Sequence, residues 1–119
     1  MVIQVFFLDK EKYNSVSLRE RIISDILGYE ANWIFHDKVI DILTTRYPME
    51  SRDADEKCQI DSMLAARNTS FECKRRLIKL YESEFGKIPD KVTDEIKEIA
   101  FEYAQVALKS CKWIDTEEK

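Results

Sequence analysis

Two glycines, two prolines and a single histidine are all that this 119-residue chain contains of those residue types. Each scarcity removes a class of answer. An all-β domain with many tight turns needs glycine and proline at those turns, so a sheet-rich fold is excluded. Phosphate-cradling loops need clustered glycines so that the backbone can approach the anion, and Gly28 and Gly86 stand far apart. One histidine, His36, cannot supply the paired Glu-x-x-His motifs of a helical di-iron site. GxSxG, CxxC and HExxH are also absent.

Cysteine is sparse and unpaired in pattern. Cys58, Cys73 and Cys111 are odd in number and widely spaced. Together with the lack of a secretory signature, this predicts reduced thiols and a cytoplasmic protein. The apolar run Met1 to Leu8 is too short to span a bilayer. Positive charge is in deficit too. Nineteen Lys and Arg face 23 Asp and Glu, a formal charge of −4, which disfavours a dedicated nucleic-acid binder without excluding a local basic patch.

What is present is helical periodicity. Hydrophobic residues make up 45% and charged residues 35%, enough for a core and a solvated surface in one domain, residues 1–119. The clearest stripe lies in Pro89 to Ile114. There Val92, Ile96, Ile99, Ala100, Tyr103, Val106, Ala107, Cys111 and Ile114 recur in steps of three and four. Pro89 suits a first turn, with Asp90 or Thr93 as the cap. This long C-terminal helix is expected to be central.

Upstream, Ser17-Leu18-Arg19-Glu20 has the capping-box pattern and opens a helix that Gly28 ends or bends. A second helix runs from about Glu30 to Arg46 and stops before Pro48. Its apolar residues, Trp33, Phe35, Val39, Ile40, Ile42 and Leu43, cover more than one face. That breadth implies a central position, or one face inside and one against a partner. A third helix spans about Ala54 to Ala66, with Ser51 or Asp53 as cap. Arg67 to Ser70 reads as a connection, and Thr69-x-x-Glu72 as the box opening a fourth helix that Gly86 closes. The expected fold is therefore all-α, a single-domain bundle of about five helices. The apolar segment Met1 to Leu8 is readable as a strand or a helix, since periodicity does not decide a run that short.

The candidate chemistry is thin. His36 with one of the cysteines is the one conceivable nucleophilic pair, and it requires a tertiary contact. Cys58 and Cys111 fall on expected apolar faces, where a free thiol serves as a small hydrophobe. Asp53, Asp55 and Glu56 form an acidic run without the turn glycine and distal glutamate of a calcium loop, and suit a helix N-terminus better. No cofactor or metal is expected.

Surface charge says more. Between Arg67 and Lys79 five cations face the single anion Glu72, and Arg75, Arg76 and Lys79 share one helix face. Glu72 can pair with Arg76, and Arg75 or Lys79 with Glu82. Asp94, Glu98 and Glu102 form an acidic ridge at four-residue steps, where like charges repel by a few tenths of a kcal/mol per pair. Trp113, near the chain end, is suited to anchor a partner or a second copy.

The expectation that follows is a small acidic protein-binding module acting by surface contact, as inhibitors, immunity proteins and phage-encoded blockers do. Its contact residues would be Glu98, Glu102, Arg75, Arg76, Lys79 and Trp113, its partner a protein, and a homodimer would be in keeping. The alternatives are a nucleic-acid-associated regulator using the Arg67 to Lys79 face, and a small enzyme using His36 with a cysteine. No membrane role is expected.

Overall fold

The computed structural model describes residues 17–111 and is helical almost throughout. Three helices follow in order: α1 (Leu18–Arg46), α2 (Ala54–Phe85) and α3 (Asp90–Lys109). A single 3-10 turn, Met49–Ser51, lies between the first two. The fold is all-α, with three helices among the described residues where five were expected. Met1 to Leu8 and Trp113 lie outside the described residues.

Two expected breaks are absent. Gly28 sits inside α1. A glycine in a helix costs only about 1 kcal/mol against alanine. The flanking Ile26, Leu27 and Glu30 are all buried, so packing on both sides overrides that cost. Arg67 to Ser70 likewise continues α2 without interruption. Ser70 is buried there and Arg67 is tied to α1 by Asp37 at 3.0 Å. Thr69 and Glu72 therefore cap nothing, because the amides of that turn already bond within the helix.

The true ends are well marked. The Ser17 hydroxyl accepts from the Glu20 amide at 3.3 Å. Asp53 accepts from the Glu56 amide at 2.8 Å while Glu56 accepts from the Asp53 amide at 3.0 Å, a complete capping box. Gly86 ends α2 with φ 89° and ψ −169°, and its N–H donates to Glu82 O at 3.0 Å. Pro89 is the N-cap of α3 and no side chain caps it, so neither Asp90 nor Thr93 fills that role. Asp90 instead approaches Lys87 Nζ at 3.5 Å. The helix ends at Lys109, five residues short of Ile114.

The hub is α1, not the C-terminal helix. It makes the most extensive contacts with both α2 and α3. Two core clusters are strung along it. In the first, Ile22, Ile23, Ile26 and Leu27 of α1 meet Tyr81, Ile88, Ile96, Ile99 and Ala100. In the second, Val39 and Leu43 meet Ile60, with Met63, Leu64 and Leu108 packed against them. The physical reason is the distribution of apolar groups. The residues of α1 cover more than one face and can serve two neighbours, whereas α3 has one stripe and serves one.

Candidate functional site

Between the two apolar clusters the α1–α2 interface is polar. Glu30 Oε1 and Lys74 Nζ lie 2.7 Å apart with side chains only 12% and 20% exposed. Lys74 Nζ also stands 5.8 Å from the Trp33 ring centroid and 5.1 Å from that of Phe71. Asp37 and Arg67 form the next rung. A cation among aromatic faces and a carboxylate is well compensated for its burial.

These two rungs fix the antiparallel register of α1 against α2. At that register His36 is level with about residue 68, so Cys73 lies about 7 Å and Cys58 about 15 Å away along the axis. Cys58 is exposed, against the expectation of an apolar face. Cys111 is half-buried just beyond α3. No hydrogen bond joins a thiol to the imidazole among the described residues. His36 instead lies edge-on to Phe35, with centroids 5.3 Å apart, and its buried Nδ1 has no hydrogen-bond partner among the described residues.

Cys73 is beside Tyr29. Coulombic repulsion from Cys73 holds the Tyr29 phenol above its ordinary value, and the hydrogen bond between the two side chains, burial and Asp25 act in the same direction. Burial alone raises Tyr103. No group of three or more His, Cys, Asp or Glu is placed to hold a metal ion among the described residues. The acidic run at Asp53 and Glu56 is occupied with capping α2.

The outward faces carry the remaining sequence candidates. On α2, Arg75 pairs with Glu72 at 3.0 Å, each side chain about half exposed. The expected Glu72–Arg76 pair is not the one formed, since Arg75 takes that carboxylate. Arg76 and Lys79 are exposed and have no ion-pair partner among the described residues. Glu82 takes neither Arg75 nor Lys79. On α3, Asp94, Glu98 and Glu102 are exposed and equally unpaired, so Lys91 and Lys97 do not neutralise the ridge by direct contact.

Exposed aromatic rings, which the sequence did not single out, have cations over them. Arg19 covers Phe85 at 5.1 Å and Lys38 covers Phe101 at 5.7 Å, as Lys74 covers Phe71. Exposed aliphatics without such cover include Leu80 on α2 and Val106 on α3. Leu80 is not among the expected contact residues, and Val106 departs from the expected apolar stripe: it and Ala107 are exposed, while Ala104 takes the buried place. The signal was available in the four-residue steps from Arg76 to Leu80 and from Glu102 to Val106. No helix of the described residues is long and apolar enough to cross a membrane. The chain matches no protein-family model, no curated protein and no solved structure.

Proposed function

We propose that this protein is a binding module that acts by surface contact, an inhibitor or blocker of a protein partner. The observation that carries the reading is the uncompensated charge on the outer faces of α2 and α3. Arg76 and Lys79 on one, and Asp94, Glu98 and Glu102 on the other, hold charge that no neighbour in the described chain balances. Each set sits beside an exposed aliphatic side chain. Charge around a small apolar contact steers encounter and sets specificity at protein interfaces.

The test is affinity capture from cells of the source with three proteins: wild type, Arg76→Glu/Lys79→Glu and Glu98→Lys/Glu102→Lys. A partner recovered stoichiometrically by the wild type and lost by one of the variants is the expected result. Recovery of the same partner by all three refutes the assignment of the faces. Recovery of no partner by the wild type removes the basis of the reading.

The nucleic-acid alternative rests on the same cations. Two of the five are committed to α1, Arg67 to Asp37 and Lys74 to Glu30, and Arg75 is shared with Glu72. Two uncommitted cations form a small footprint for a polyanion. That weighs toward a protein partner.

A further inference from the structure

Two rows of side chains on the outside of the molecule are complements of one another. On α2 the four-residue step from Arg76 leads to Leu80, with Lys79 alongside. On α3 the four-residue steps run Asp94, Glu98, Glu102, Val106. Steps of four drift only about 40° around a helix, so each set forms a ridge along its surface. One ridge is cationic and ends in an exposed leucine. The other is anionic and ends in an exposed valine, the two being 42% and 63% exposed.

A single molecule cannot bring these ridges together. Both helices use their inward faces on the core clusters that they share with α1, which turns the two rows outward. Among the described residues no ion pair links α2 with α3. A second copy carries both complements at matched concentration.

We propose that this chain self-associates head to tail. The Arg76–Lys79–Leu80 ridge of one copy docks on the Glu98–Glu102–Val106 ridge of the next. Arg76 and Lys79 meet the two glutamates, and Leu80 and Val106 are withdrawn from water at the contact. The contact is heterologous, because different patches meet, so it closes into a ring or extends as a chain according to the rotation between copies. The overall charge of −4 opposes association. At about 0.1 M salt, however, that repulsion is screened beyond about 10 Å while touching ridges are screened far less. The inference rests on the surface-contact reading and names its partner as the chain itself.

The test is sedimentation velocity with light scattering over a range of concentrations. The proteins are wild type, Arg76→Glu/Lys79→Glu, Glu98→Lys/Glu102→Lys, and an equimolar mixture of the two variants. Wild type is expected to associate at about 0.1 M salt and to disperse at about 1 M, where screening reaches about 3 Å. Each variant alone then presents like charges at the contact, and its dissociation constant rises by about tenfold or more. The mixture restores opposite charges at every contact and regains association.

A wild type that stays monomeric at about 0.1 M overturns the inference, and so does association that survives in both variants or a mixture that fails to recover. Helical circular dichroism checks that the exposed substitutions leave the fold intact. Should a reversal disturb it, Arg76→Gln/Lys79→Gln and Glu98→Gln/Glu102→Gln replace the pair, each expected to weaken association alone, while their mixture regains pairs through the one contact in which an intact cationic ridge meets an intact anionic ridge. A monomeric wild type that still captures a different protein stoichiometrically, and loses it on charge reversal, sinks self-association while the binding-module reading stands.

Discussion

At Gly86 the backbone takes φ 89° with ψ −169°, a region that residues with a Cβ rarely enter. A Cβ built there meets nothing within 4 Å, so the strain is in the backbone alone. Gly86→Ala is expected to lower stability by about 1–3 kcal/mol, read as a shift in the urea midpoint at unchanged slope. This position was legible in the sequence, because a glycine three residues before a proline is a strong stop signal. Ser17 and Asp53 were legible for the same local reason, an oxygen beside free amides. Thr69 showed the same letters and meant nothing. A capping pattern acts only where amides are unbonded, and a buried Ser70 beside it keeps the helix running.

The elements show where local reading stopped. Gly28 and the polar stretch Arg67 to Ser70 read locally as breaks, yet α1 and α2 pass through both. What decides is the opposite helix, and periodicity within one segment does not show it. The Glu30–Lys74 and Asp37–Arg67 rungs are contacts of that kind, 44 and 30 residues apart in sequence. Glu30→Leu or Lys74→Met alone is expected to destabilise by about 3 kcal/mol, since each leaves a mostly buried charge without its partner. The double variant Glu30→Leu/Lys74→Met should recover most of that loss, because a well-packed apolar pair does nearly as well there. Chemical denaturation of the four proteins as a double-mutant cycle measures the coupling. Additive losses would show that the pair is not energetically joined. Arg75, Arg76, Lys79, Glu98 and Glu102, which the sequence places on charged outer faces, are exposed. The sequence did not tell which cations would be claimed by α1 or Glu72, for that depends on register.

The molecule as a whole is long, 49 × 28 × 25 Å, and the 32 residues of α2 alone account for about 48 Å at 1.5 Å each. Its radius of gyration, 16.6 Å, exceeds the roughly 13.5 Å expected of a compact chain of this length. Such a shape buries less. Only Ile60, Ser70 and Tyr81 of α2 are buried. Stability should also fall in alkali. Tyr29 and Tyr103 hold their protons more firmly folded than unfolded, where the value is 10.0. Their contribution is therefore complete below about pH 10 and is lost as pH rises past it, because the unfolded chain ionises first. Urea melts at pH 9 and pH 11 measure the loss, and Tyr29→Phe should make it smaller. The overall class was legible from composition and periodicity. The identity of the hub was legible only in part, from the many-sided apolar content of Trp33 to Leu43, because a stripe such as that of α3, whose Val106 and Ala107 are in fact exposed, does not report the number of a helix's neighbours.

Since both apolar clusters run through α1, neither of the other helices has an independent place to fold onto. Losing that first rod strips each remaining segment of its principal neighbour at one stroke, so melting should proceed in a single step. Hydrogen exchange would register this as amide protons of Ile22 to Leu43 that open only when the entire chain does, and faster exchange there than in α2 would contradict it.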